Sequence, residues 1–205
     1  MNQTKFIFFD VGGVLILDFS NTDKWSQMKS DLGVTKKTDE AFESVWQKYQ
    51  YRRGIDYDID NMIPELHEKT GLVFPKKYSM LDDFISRFEV NSYIWPVVRK
   101  AQKLGKKVGM LTNMYPRMLS SIQKAGLMQD IKWDLIIDSS VVGFEKPNPK
   151  IFELAEQKTG LKPEEIMFID NMSSNTEVAI KRGWQTFTYD DQNPEKASEE
   201  LTKIL

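Results

Sequence analysis

The sequence predicts an α/β fold: a parallel sheet with helices on both faces and a small all-α block inserted after the first strand. Three observations carry this. Short, fully apolar runs recur along the chain and each ends in turn or polar residues. Apolar residues at helical spacing lie between the later runs. From about residue 19 to residue 90 the helical spacing continues with no strand candidate between.

The first strand is FIFF (Phe6 to Phe9), which runs directly into Asp10 and a pair of glycines, Gly12 and Gly13. The inserted block follows. Trp25, Met28 and Leu32, then Phe42, Val45, Trp46 and Tyr49, then Met62, Ile63 and Leu66, and last Leu81, Phe84, Ile85 and Phe88 fall at helical spacings. Alternation then resumes. Val97, Val98, Ala101 and Leu104 predict a helix stopped by Gly105, and KVGML predicts the second strand, ending at Thr112. Met118, Ile122 and Ala125 precede Gly126, and DLIID around Ile136 is the third strand. Ile151, Phe152, Leu154 and Ala155 predict a helix closed by Gly160, followed by the strand IMFI before Asp170. Val178, Ala179 and Ile180 precede Gly183, and QTFTY around Phe187 is the fifth strand. Strand, helix, strand in repetition implies right-handed crossovers and a parallel sheet. The charged stretch from Pro194 to Leu205 predicts a last helix docked through Leu201, Ile204 and Leu205. The boundaries expected are a core of residues 1–18 and 91–205 and a helical cap of residues 19–90.

Composition narrows the function. The 205 residues are 40% hydrophobic and 12% aromatic, enough for a real core, and the net charge is −2. A pI of about 5.6 gives no electrostatic case for nucleic acid or an anionic membrane, so neither is an expected partner. With no cysteine, disulfides, thiolate nucleophiles and cysteine–zinc sites are excluded. The start MNQTKFIFFD has no signal-peptide pattern, and no window of about 20 apolar residues exists, so a cytoplasmic location is expected.

In open α/β sheets, sites form beyond the carboxyl ends of the strands. Those ends carry Asp10, Thr112 with Asn113, and Asp170 with Asn171, and the loop GFEKPNPKIF adds Lys146. Two carboxylates, a hydroxyl and an ammonium at one edge suit phosphoryl transfer: a carboxylate nucleophile, a cation between carboxylates, and donors for an anion. Taken singly the residues say less. An aspartate at a strand end is commonly a cap, and Asn113 and Asn175 are either turn formers or site contacts. His67 in PELHEKTG reads as an exposed, idle histidine. Trp25, Trp46, Tyr49 and Tyr51 read as bundle core, with a sugar-stacking platform as the alternative. Arg52 and Arg53 are a solvated pair or a clamp on a substrate anion.

Together the four positions resemble the haloacid dehalogenase-like hydrolases, in particular the subgroup with a helical cap, and the resemblance covers the whole chain. It implies a Rossmann-like core of strand order 3-2-1-4-5. FFDVGGVL resembles the family's first motif, which makes Asp10 the residue that forms an aspartyl-phosphate. GMLTNM makes Thr112 a phosphate ligand, GFEKPNPKIFELA makes Lys146 the lysine that steadies nucleophile and phosphate, and IMFIDNMSSN makes Asp170 a magnesium ligand. By the same resemblance Mg2+ is the cofactor, held by Asp10, the Gly12 carbonyl, Asp170 and Asn171. Substrate contacts are expected from Thr112, Asn113, Lys146, Arg52 and Arg53.

Two positions depart from the family's phosphatase pattern. Gly12 stands where an aspartate usually protonates the leaving group, a loss of about 10²–10⁴-fold in rate if nothing replaces it. Asn171 replaces a second acidic residue. The expected activity is magnesium-dependent hydrolysis of a small phosphorylated metabolite such as a sugar phosphate, by a monomer or homodimer. Two alternatives remain open: a binding or regulatory protein with weakened turnover, and a metal-free 2-haloacid dehalogenase, which Gly12 suits and Asp170 does not.

Overall fold

The computed structural model describes residues 4–50 and 57–205. Arg52, Arg53 and Tyr51 lie outside the described residues.

Strand β1 (Phe6–Phe9) is the centre of a five-stranded parallel sheet with β4 (Lys107–Thr112), β5 (Leu135–Asp138), β6 (Ile166–Asp170) and β7 (Gln185–Thr188). The order is β5-β4-β1-β6-β7. Counting only these five strands along the chain, that is the order 3-2-1-4-5. β1 pairs in register on both sides, Phe9 opposite Met110 and Ile169, and the Asp10 amide extends the ladder to Ile169 O at 2.9 Å. All four residues of β1 and all five of β6 are buried. Helices on both sheet faces account for these continuous apolar runs.

Those helices are α5 (Ile94–Lys103), α6 (Met118–Lys124), the one-turn α7 (Ser139–Val142), α8 (Pro149–Thr159), α9 (Ser173–Lys181) and, at the chain's end, α10 (Pro194–Ile204). α8 begins as its sequence dictates. Pro149 needs no amide partner in the first turn, and the Asn148 side chain caps the Lys150 N–H at 3.0 Å. α10 docks through Ala197, Ser198 and Leu201. Ile204, expected in that contact, is instead 47% exposed, because it lies a turn beyond the buried face.

Between β1 and α5 lie α1 (Lys24–Asp31), α2 (Asp39–Tyr49), α3 (Met62–Thr70) and α4 (Met80–Ser86), the helical block that the spacing predicts. One feature differs from an all-helical insertion: its two connections pair. β2 (Ile16–Leu17) lies antiparallel to β3 (Glu89–Val90). Asn91, fully buried at the end of this ribbon, donates to Val14 O at 2.7 Å and to the Tyr189 hydroxyl at 2.9 Å. His67 is exposed as expected but not idle, since its Nδ1 lies 2.7 Å from Leu72 O and braces the turn after α3. No helix among the described residues is long and apolar enough to cross a membrane.

Candidate active site

The chain turns sharply after β1. The amides of Val14, Leu15 and Ile16 all point at the Val11 carbonyl, at 3.3, 2.9 and 3.0 Å. Gly13 is required in this turn, and Gly12 leaves space that another side chain fills. Gly13 has φ of +73°, and a Cβ there would stand 2.2 Å from the Asn171 amide nitrogen. A Cβ on Gly12 would stand 2.3 Å from Asp18 Oδ2. The volume that a side chain at position 12 would enter is therefore held by another carboxylate, half-buried and anchored by the Ser20 N–H at 2.9 Å. Burial pushes the Asp18 carboxyl above its ordinary range, with hydrogen bonds from Ser20 opposing.

The structure brings Asp10, Lys146 and Asp170 into direct contact. Lys146 Nζ lies 3.0 Å from Asp10 Oδ1 and 2.6 Å from Asp170 Oδ2, and its side chain is fully buried. Asp170 also accepts from the Met172 N–H at 2.8 Å and from Asn175 Nδ2 at 3.1 and 3.0 Å, so Asn175 is a site contact and not a turn former. The Asp10 carboxyl accepts from the Val11 N–H at 2.7 Å. Burial pushes Asp10 up to about 7, Lys146 draws it down, and the Asp170 charge adds to the rise.

Other sequence candidates have different placements. Asn113, expected to touch substrate, borders the cavity but spends its amide on the backbone of Lys146. Its Oδ1 accepts the Lys146 N–H at 2.7 Å and its Nδ2 donates to Lys146 O at 2.8 Å. It is a clasp that places the lysine. Thr112 ends β4 fully buried, away from the cavity lining, with its Oγ1 unpartnered among the described residues. Asn171 borders the cavity and donates to Asp191 Oδ2 at 2.7 Å, which fixes its amide nitrogen outward.

A cavity of about 840 Å³ is floored from the core by Asp10, Gly12, Asp18, Lys146 and Asn175, with Asp170 fully buried behind Lys146. Its roof comes from the inserted helices and their connection: Phe19, Trp25, Trp46, Phe84 and Phe88. The roof is tied to the core beyond the cavity. Arg117, in a left-handed conformation (φ 70°) at the start of α6, meets Asp58 at 2.6 Å through both Nε and Nη2, and Asp60 at 2.8 Å.

The acidic oxygens at this site come from two carboxylates, Asp10 and Asp170, and Gly12 and Asn171 border the same cavity. Lys146 neutralises only one of the two carboxylate charges. Oxygen donors with surplus negative charge fit a hard divalent cation of the magnesium kind, which retains several waters and needs few protein ligands. Among the described residues no three His, Cys, Asp or Glu side chains come together as a metal site.

A family model for haloacid dehalogenase-like hydrolases matches residues 4–171. The chain belongs to that family. A stretch of 101 residues, 49% of the chain, is 35% identical to acyl-CoA dehydrogenase family member 10 of Mus musculus and covers 9% of it. Over 214 residues and 96% of the chain, identity to bifunctional epoxide hydrolase 2 of Sus scrofa is 26%, covering 38% of that protein. The chain thus spans well under half the length of these curated relatives. A solved HAD family enzyme from Bacteroides thetaiotaomicron, in complex with magnesium and inorganic phosphate, is 20% identical with a TM-score of 0.69. The match covers 92% of this chain and 95% of that one.

Sequence reasoning missed Asp18, Asp191 and Arg117. Two adjacent glycines were the available signal for the first, since they leave a volume for another residue to fill.

Proposed function

We propose that this hydrolase is a magnesium-dependent phosphatase of a small phosphorylated metabolite, acting through an aspartyl-phosphate on Asp10. The observation that carries the reading is the Asp10–Lys146–Asp170 contact at the carboxyl edge of the sheet, with Asp10 facing the cavity. An Asp10 oxygen attacks phosphorus while the bond to the leaving oxygen breaks and its electron pair stays with that oxygen. Water then attacks the aspartyl-phosphate, releasing phosphate and restoring Asp10. Lys146 holds the nucleophile in place and offsets phosphoryl charge. Asn113 and Asn175 hold Lys146 and Asp170. Asp18, in the volume beside Gly12, is the carboxyl group available to protonate the leaving oxygen. A bound Mg2+ would rest on Asp10, Asp170, the Gly12 carbonyl and Asn171 and would supply charge neutralisation to the phosphoryl oxygens.

Residues 19–90 act in this reading as a cap over a core of residues 1–18 and 91–205. The aromatic roof of the cavity and the Arg117 clasp support that division. The magnesium and phosphate bound by the Bacteroides enzyme support the chemistry on this fold.

The test is phosphate release over a panel of phosphomonoesters with and without magnesium, beside thermal melts. Magnesium-dependent release is expected. Magnesium should raise Tm by preferential binding to the folded state, and Asp170→Asn should remove most of that rise. A panel without turnover, together with equal Tm rises in the two proteins, would sink the reading.

A further inference from the structure

Cavity volume and lining together bear on the substrate's leaving group. In the phosphatase reading the phosphoryl group would sit on the floor beside Asp10 and Lys146, and a cavity of about 840 Å³ leaves space above it. Over that space stand Phe19, Trp25, Trp46, Phe84 and Phe88, packed ring to ring. Centroids are 4.6 Å apart for Trp25 and Trp46, 4.8 Å for Phe19 and Phe84, and 5.8 Å for Phe19 and Phe88. Met114, Met118 and Ile122 face the same space from the core.

Several polar groups of this upper part are already engaged. Trp25 Nε1 donates to Glu43 Oε1 at 2.8 Å, and the same oxygen receives Lys29 Nζ at 2.6 Å. The Ser20 hydroxyl is bonded to Asp18, and the Gln50 amide to Gln47. Among the described residues, Lys146 on the floor is the one cationic side chain in the lining. A sugar would bury several hydroxyls against this wall without partners, and each unpaired polar group is costly in an apolar setting. A flat hydrocarbon body would displace poorly held water and gain by area.

We propose that the substrate is a phosphomonoester whose leaving group carries an aromatic or comparably apolar body, seated under the Trp25–Trp46 wall, and not a sugar phosphate. This rests on the phosphatase reading above and deepens it.

The experiment compares primary alkyl esters, so that leaving-group chemistry is nearly constant: 2-phenylethyl phosphate, ethyl phosphate and glucose 6-phosphate, each with magnesium. kcat/KM for the phenyl ester should exceed both others by about 10- to 100-fold, the scale of burying one phenyl-sized group, and mostly through KM. Trp25→Leu and, separately, Trp46→Leu keep apolar volume but remove the flat ring, and each should narrow the phenyl-to-ethyl ratio. Circular dichroism shows whether each variant folds. Equal kcat/KM for the three esters, preference for glucose 6-phosphate, or an unchanged ratio in both folded variants overturns the inference while leaving the phosphatase reading intact. Should no ester release phosphate, the phosphatase reading fails, and calorimetry with 2-phenylethylphosphonate and ethylphosphonate still decides the inference. Tighter binding of the phenyl compound upholds it, and equal binding overturns it.

Discussion

The floor and roof of the cavity are built on opposite principles. On the floor each charged group has several partners: Lys146 is gripped by two carboxylates at its tip and by Asn113 at its backbone, and Asp170 by Lys146, Asn175 and the Met172 amide. The roof is an aromatic cluster packed ring to ring, with a polar tie from Trp25 Nε1 to Glu43. Geometry is over-determined on the floor, where the proposed chemistry would take place, whereas the roof is defined by shape and area. Variants on the floor should therefore act on kcat, and variants in the roof on KM.

The largest expected effect is on the floor. Asp10→Asn removes the proposed nucleophile, and phosphate release should fall to background while the fold is kept, because the amide is isosteric and Lys146 retains Asp170. Appreciable turnover in purified Asp10→Asn protein would dismantle the mechanism.

Next comes Asp18, the residue that connects floor to roof. If its carboxyl replaces the proton donor absent at position 12, Asp18→Asn should slow release from alkyl phosphates by up to about 10²–10⁴-fold. Aryl phosphates, whose phenolate leaves without help, should lose little. A uniform loss across both classes would make Asp18 structural. Gly12→Asp is not a rescue in the native protein, because its Cβ would stand 2.3 Å from Asp18 Oδ2. Alone it should lower both stability and rate, and it becomes tolerable only when paired with Asp18→Gly.

This contrast also explains what the sequence reveals. Asp10 and Asp170 are legible because each ends an apolar strand, and a parallel sheet delivers strand ends to one edge. Thr112 ends a strand in the same way but lies buried, away from the cavity lining. Lys146 is legible from its long motif. Asp18 is not, because its approach to Gly12 depends on the turn that folds three amides onto Val11 O, a tertiary outcome with no periodic signature. Asn113 is legible as a site residue, but its bond to the backbone of Lys146 spans 33 residues and nothing local announces it. The roof aromatics read as core by spacing. They are core on one side and cavity lining on the other, a distinction carried by packing alone.

Lys146→Met measures how far the floor supports folding as well as chemistry. It leaves Asp10 and Asp170 buried without their shared cation. Breaking a buried ion pair from one side typically costs about 3–5 kcal/mol, and chemical denaturation should show a loss of that order at pH 7. The loss should shrink as pH falls and Asp10, which burial pushes up to about 7, takes up a proton. A loss below about 1 kcal/mol would mean that the floor is far better hydrated than its burial indicates.

The smallest effect belongs to the Arg117 clasp, where roof and core meet. Arg117 holds the Asp58 carboxyl below its usual range through a direct hydrogen bond, against the opposing effect of burial. A carboxyl with a lowered folded-state pKa contributes stability above its unfolded value of about 3.9, and that contribution is lost as pH falls through the lower, folded value. The Arg117 side chain is 52% exposed, so solvent and salt screen the pair and Arg117→Ala should cost about 1 kcal/mol or less at pH 7. The gap between wild type and variant should hold from neutrality to near pH 4 and close below it. Arg117→Gly loses the same clasp but relieves the left-handed backbone at φ 70°, so it should be the more stable of the two variants by roughly 1 kcal/mol. If the roof is held by its aromatic packing and the clasp only orients it, both variants should raise KM for the phenyl ester by less than Trp46→Leu does. A larger rise in KM from Arg117→Ala would place control of the roof in this ion pair.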